Sequence, residues 1–374
     1  MRKIIWCLIF ISIAVRLIIF LVLHNNYFLR PFDPVYFGTL YSESQYVLGD
    51  LSKGGIGDDG LYAYAGYHYV FNRGNVADIN FEHPPLGKYL IGLSILIFRN
   101  ENVINIIYFI LILLVTYKIA IFLFHNDLLA IISAAILSFD PLINDHLLRS
   151  LLDLPFTLFF LTALYMFLKA LKKTNYLYLS FFFWGAAFAT KFFPFFIIIY
   201  LYLLVIFYLF QKKKIFSFIS ASLIVPVFYL VIHISFFIYH PSLLEFIRHK
   251  KWMVAWWRGS PIIPGNILRN IFTGQYIDST GKLTRDHLWS LLQPVIFFFS
   301  VTSVRKSFFG KEKTAGIVYI FCLIFIVYML FLTNGIFKYM MPVYPLLIIL
   351  AIKAVSDYYM IFFHGKIRHK GSYS

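Results

Sequence analysis

Three stretches of this chain carry side chains that could do chemistry. Gly57-Asp58-Asp59-Gly60-Leu61-Tyr62 sets two carboxylates side by side. Neighbouring carboxylates raise one another's pKa, so one of them can serve as a base near neutral pH. Asp and Gly also build turns, and a plain turn is the competing reading. Further on stands Glu82-His83-Pro84-Pro85-Leu86-Gly87-Lys88. Its two prolines fix the backbone and hold off helix until Leu86, leaving a His and a Lys at opposite ends of a rigid turn. The competing reading is a helix start with a snorkelling lysine. The third stretch runs through Phe139-Asp140-Pro141-Leu142 to Arg149 and Asp153. The i, i+4 spacing of Arg149 and Asp153 predicts a guanidinium and a carboxylate on one helix face.

The elements that must hold these groups are apolar. Of 374 residues, 60% are hydrophobic and 13% charged, with a mean hydropathy of +0.77. That balance excludes a soluble globular enzyme, a disordered chain and a disulfide scaffold. The apolar residues come in long runs without alternation, which excludes a transmembrane β-barrel. The fold class expected is all-α, a polytopic transmembrane bundle of about ten spans with outward-facing interfacial helices. The runs are 4–23, 102–123, 128–139, 150–170, 176–191, 194–210, 215–239, 288–304, 314–333 and 338–358. The run 89–98 is too short to span and is closed by Arg99-Asn100-Glu101-Asn102, so it reads as a re-entrant or interfacial helix. The start, Met1-Arg2-Lys3 and an apolar run, imitates a secretory signal. Arg16 interrupts it and no small-x-small site follows, so it is expected to be an uncleaved first span. Cys7 and Cys322 both lie in apolar runs and read as buried small hydrophobes.

The net charge of +16 follows the spans. With the N-terminus in the cytoplasm, Lys172-Lys173, Lys212-Lys213-Lys214, Arg305-Lys306 with Lys311 and Lys313, and the tail with Lys366, Arg368 and Lys370 all fall inside. The positive-inside rule asks for this, and it explains the basic balance without a nucleic-acid partner. Two long loops, 24–88 and 240–287, then face outward, with Asp58, Arg149 and Lys191 at that face. The second loop sets Arg248, Lys250, Lys251 and Arg258 beside Trp252, Trp256 and Trp257. That run suits an interfacial helix that covers a substrate or lies on anionic headgroups. Gly185-Ala186-Ala187 through Thr190-Lys191 ends a span on a cation that either meets a phosphate or snorkels.

Asp58-Asp59 with Tyr62, followed by His83-Pro84-Pro85-Leu86-Gly87-Lys88, resembles the first outer loop of the protein O-mannosyltransferases. The wider group is the GT-C superfamily of polytopic lipid-phosphate-sugar glycosyltransferases, which includes the lipid A aminoarabinose transferase. The Asp140-Pro141…Arg149…Asp153 and Gly185…Lys191 stretches extend the likeness, and Lys338-Tyr339-Met340-Met341-Pro342 adds a looser match. The family's acidic pair is usually Asp-Glu; here it is Asp-Asp. The resemblance covers residues 1 to about 210 well. It implies a catalytic transmembrane module over 1–210, with outer loop 24–101, and C-terminal helices over 211–374.

The resemblance also implies a reaction. A polyprenyl-phosphate sugar, dolichyl or undecaprenyl, gives a mannose-like hexose to a hydroxyl of a protein, lipid or glycan at the outer face, with inversion. Asp58 is the expected base and Asp59 its partner; His83, Lys88, Arg149, Asp153 and Lys191 are expected around the donor phosphate and sugar. The leaving group needs no metal, although an acidic pair can recruit a divalent ion. The rival class is a flippase of lipid-linked sugars that makes no covalent product. The chain shows no paired halves with matching broken spans, as a transporter of that kind would.

Overall fold

A computed structural model of the chain describes residues 2–259, 261–302 and 313–370. Arg305, Lys306 and Lys311, expected in an inner loop, lie outside the described residues. The structure is helical apart from one two-stranded antiparallel hairpin, Gln275–Ile277 with Leu283–Arg285. The chain forms two compact units. One holds the described residues of Met1–Ala14, Leu113–Leu142 and Ile262–Ser374; the other holds Val15–Ile112 and Ile143–Pro261.

The apolar runs become helices. They are α1 (Arg2–Leu23), α7 (Val103–Phe124), α8 (Asp127–Phe139), α10 (Asp153–Ala170), α11 (Tyr176–Thr190), α12 (Phe196–Gln211), α18 (Leu292–Thr302), α19 (Lys313–Phe331) and α20 (Tyr344–Lys370), with the run 215–239 in three successive pieces, α13 (Ile215–Ser222), α14 (Ile224–Ile232) and α15 (Ile234–Tyr239). Among the described residues, five helical runs are long and apolar enough to cross a bilayer. A sixth forms if α8 and α9 (Pro141–Leu147), bent by 61°, count as one. The run Phe196–Ile232, 37 residues long, passes as a single span by composition. It nevertheless turns back at Lys212–Lys214, because the Phe218 ring lies 5.6 Å from that of Tyr200 and 5.4 Å from that of Phe207. In a straight helix, positions 200 and 218 would stand about 27 Å apart. The three lysines thus mark a hairpin, as the charge pattern predicts.

Along α1, Ile4, Leu8, Ile11, Val15, Ile18 and Val22 are all exposed. Their three- and four-residue spacing makes one apolar face of the kind that meets acyl chains. Cys7 is exposed on this helix, unlike the buried position expected, whereas Cys322 is buried. Arg16 finds partners on neighbouring helices: it donates to Asn144 Oδ1 and its guanidinium lies 4.9 Å from the Phe20 ring and 5.6 Å from that of Phe109. A charge inside a span persists where it is satisfied this way.

The loop 24–88 folds into short helices: α2 (Asn25–Leu29), α3 (Pro34–Ser42), α4 (Gln45–Leu48) and α5 (Asp58–Phe71). The short run beyond it is α6 (Leu86–Phe98). α5 and α6 touch backbone to backbone, since a Cβ on Gly66 would stand 2.8 Å from the Gly92 nitrogen. The loop 240–287 carries α16 (Leu243–Arg258) and α17 (Asn266–Thr273) as well as the hairpin.

Candidate active site

Every candidate side chain falls in the unit built from Val15–Ile112 and Ile143–Pro261. Asp58 and Asp59 open α5, preceded by an extended Gly57. The Asp59 side chain folds back over the helix start, where its Oδ1 accepts the Gly60 N–H at 3.0 Å. A Cβ on Gly57 would stand 2.7 Å from that oxygen, so the glycine makes room for this rotamer. Arg149 Nε meets Asp59 Oδ2 at 3.3 Å. Asp58, one helical step away, bears by its charge on Arg149 and also on Glu82, Tyr46 and Tyr62. Arg149 thus feels both aspartates of the pair, with Asp59 in direct contact.

Arg149 does not share a helix with Asp153. Pro155 has no N–H to give to the Leu151 carbonyl, so the helix begins afresh at Asp153 and the proline sits in its first turn. Arg149 stands in the break and reaches two carboxylates, Asp59 through Nε and Asp145 through Nη1 at 3.6 Å. Burial works against its charge, but Asp59 and Asp145 more than offset that and raise its pKa. Asp153 pairs instead with Lys191, which ends α11 in an extended conformation; Nζ lies 2.7 Å from Oδ1, and both side chains are about nine-tenths buried.

Gly87 explains how these stretches meet. A Cβ there would stand 2.6 Å from Leu152 Cδ2 and 2.9 Å from Thr190 Cγ2. The His-Pro-Pro-Leu-Gly-Lys turn therefore packs directly on the residues beside Asp153 and Lys191. His83 is buried, its ring 5.9 Å from that of Tyr62 and 5.2 Å from that of Trp257. Lys88, expected at the donor phosphate, is fully buried and holds the turn instead. Its ammonium donates to Asn80 O at 2.5 Å, Asn80 Oδ1 at 3.0 Å and His83 O at 2.8 Å. Those three bonds match the three protons of an ammonium.

Two groups that sequence reasoning passed over belong to the cluster. Glu82 is buried, accepts from Asn80 Nδ2 at 3.3 Å, and has its pKa raised by burial and by Asp58. Tyr62 is buried with its hydroxyl pKa pushed well up, by burial first and then by Asp58, Asp153 and Glu82. Both stand inside the quoted motifs. The signal for Glu82 was an acid fixed directly ahead of a rigid Pro-Pro turn. Among the described residues no three His, Cys, Asp or Glu side chains converge in a metal-binding arrangement. Asp58 and Glu82 are the carboxylates that could offer oxygens to a cation.

The helix α16 lies against this cluster. Trp257 Nε1 donates to Glu82 O at 3.0 Å, and Lys250 Nζ donates to His233 Nε2 at 2.8 Å. His233 gives its Nδ1 proton to Tyr229 O at 2.7 Å, which leaves Nε2 free to accept. Beside Asp59 and Arg149 opens a pocket of about 580 Å³, walled by Arg30, Tyr36, Phe37 and Glu101 among others.

Residues 82–240 match the family model described as dolichyl-phosphate-mannose-protein mannosyltransferase. A search of curated proteins finds no significant match. Among solved structures the chain is similar to ArnT from Cupriavidus metallidurans, bound to undecaprenyl phosphate, with a TM-score of 0.59 at 17% identity. It is equally similar to the apo state of that protein, with a TM-score of 0.58 at 16% identity. Each alignment takes in 92% of this chain and 60% of the other, so the chain spans three-fifths of the length of the structures it matches. By its fold and its apolar helices, the chain is an integral multi-pass membrane protein with the GT-C-like fold of these structures, and its central segment matches the mannosyltransferase family model.

Proposed function

We propose that the protein transfers a sugar, a mannose-like hexose, from a polyprenyl-phosphate carrier to an acceptor hydroxyl at the outer face of the membrane. The acceptor hydroxyl attacks the anomeric carbon while the bond from that carbon to the lipid phosphate breaks, which inverts the configuration. The hydroxyl proton passes to Asp58, and the phosphate leaves with its negative charge. A positioned base contributes about 10²- to 10⁴-fold to such a step. Arg149 and Lys191 are the cations that steady the departing phosphate, each preset by its own carboxylate, Asp59 and Asp153. His83, between Tyr62 and Trp257, lies within the same cluster and contributes a further contact to the donor. The carrier proposed is undecaprenyl or dolichyl phosphate, since an ArnT structure similar to this chain is described as bound to undecaprenyl phosphate.

The observation that carries this reading is the 3.3 Å contact between Asp59 and Arg149, which brings the acidic start of α5 to the break between α9 and α10. The test is to incubate the purified chain with radiolabelled polyprenyl-phosphate hexoses and follow label leaving the lipid. Covalent transfer that falls at least about 100-fold in Asp58→Asn supports the proposal. Transfer at the wild-type rate in that variant removes Asp58 as base. Label that crosses liposomes without leaving its lipid favours the flippase.

A further inference from the structure

The turn Arg99-Asn100-Glu101-Asn102 between α6 and α7 is more elaborate than a connection needs. Arg99 closes α6 in a left-handed conformation, φ 58°. Asn100 caps α7, its Oδ1 accepting from the N–H groups of Asn102 at 2.7 Å and Val103 at 3.1 Å. Its amide donates to the carbonyls of Tyr27 at 3.0 Å and Arg30 at 2.7 Å. Asn102 in turn donates to Tyr27 O at 3.3 Å and accepts from Ser150 Oγ at 3.1 Å. Both neighbours of Glu101 are therefore fixed, and Glu101 is fixed between them.

Glu101 lines the 580 Å³ pocket beside Asp59 and Arg149. Its Oε2 is shut off from bulk solvent and has no hydrogen-bond partner among the described residues. Burial raises the pKa of this carboxyl; its own backbone N–H and Arg30 lower it, and Asp59 raises it further. A buried acceptor without a partner is costly to maintain, and a rigid turn that maintains such a group is explained if a ligand completes it. The rest of the pocket narrows the ligand. The charges of Asp59 and Glu101 balance those of Arg30 and Arg149, so the lining asks for no net charge in the part of a ligand that it encloses. Tyr27, Tyr36 and Phe37 supply flat apolar faces, while the charged groups supply planar donors and acceptors. A neutral ring with CH groups on one face and hydroxyls around its rim satisfies all of these.

We infer that this pocket binds a sugar ring, with Glu101 accepting a hydrogen bond from one of its hydroxyls. The inference deepens the transfer reading and rests on it for the ring's source, which is either the sugar of the donor or a sugar of a glycan acceptor. Glu101 is thus a positioning residue for the saccharide.

Binding can be read without turnover. The full chain in detergent is probed by saturation-transfer NMR with the methyl pyranosides of mannose, glucose and arabinose, and separately by thermal shift with decaprenyl phosphate. The expected result is a pyranoside signal whose dissociation constant weakens about tenfold in Glu101→Ala and less in Glu101→Gln. The decaprenyl-phosphate shift should be equal in all three proteins, which a merely structural role for Glu101 would not allow. No pyranoside signal, or one unchanged in Glu101→Ala, overturns the inference. A Glu101-dependent sugar signal in a protein that ignores decaprenyl phosphate upholds it while the lipid-carrier reading fails. Displacement of the pyranoside by decaprenyl-phosphate mannose, but not by decaprenyl phosphate, assigns the ring to the donor; no displacement by either assigns it to a glycan acceptor.

Discussion

At the scale of single residues, the site consists of charges that check one another. Asp153 and Lys191 are each about nine-tenths buried and 2.7 Å apart. Removing one partner takes the 2.7 Å counter-charge from the other, a change that costs about 3–5 kcal/mol at buried pairs. Asp153→Asn should therefore lower the thermal midpoint sharply, and the double change with Lys191→Met should recover most of it; a single variant that melts like wild type would show the pair to be solvated. Lys250 offers a test by pH. Burial pushes its ammonium from 10.5 down to about 7. The groups that face it are His233, Tyr229 and Phe246, with Lys88 and His249 nearby. Between about pH 7 and 10.5 the unfolded chain holds a proton that the folded chain has released, so stability rises with pH across that window. The penalty is fully present below pH 7. Lys250→Met should raise the melting midpoint near neutral pH and flatten its rise toward alkaline pH. A rise of the same size in the variant assigns the titration to another group.

At the scale of elements, helix existence was legible and helix breaks were only partly so. The apolar runs named the helices because membrane hydrocarbon demands continuous apolar sequence. The turn at Lys212–Lys214 was legible because charge cannot sit in that hydrocarbon. The break after Arg149 follows from Pro155, and the i, i+4 rule presupposes a helix that this proline forbids. What no pattern could give was the partner of each charge. Periodicity assigns a side chain to a face, and the contact of Arg149 with Asp59 depends on which helix that face meets. Glycine decides two of those meetings. Gly66 lies against the backbone of Gly92, whereas Gly87 lies against the side chains of Leu152 and Thr190. Side chains can shift and a packed backbone cannot, so Gly87→Ala should cost about 1–3 kcal/mol and Gly66→Ala more. Melting of both variants, with Gly185→Ala as a milder comparison (its Cβ would meet Phe228 Cβ at 3.2 Å), ranks them. Equal midpoints for Gly66→Ala and wild type would mean that α5 and α6 do not touch as described.

At the scale of the whole molecule, the proposed chemistry requires one topology. Polyprenyl-linked sugars at the outer leaflet are useful only if α5 and the start of α10 face that side. The argument for it is the distribution of lysine. Short loops rich in Lys and Arg stay in the cytoplasm because moving each cation across hydrocarbon is costly, while long loops escape the rule. Lys212–Lys214 caps a tight hairpin and is exposed, so it is the sharpest inner marker. Ser279, exposed in the turn of the β-hairpin, is a matching marker for the loop 240–287. In a variant with Cys7 and Cys322 replaced, Ser279→Cys should react with a membrane-impermeant maleimide added to intact cells. Lys213→Cys should react only once the membrane is opened. The opposite pattern would put Asp58 and Arg149 in the cytoplasm, where the donor would have to be presented from the inner leaflet. Because the geometry of the cluster would be unchanged by that reversal, the labelling isolates the sidedness of the reaction from its chemistry.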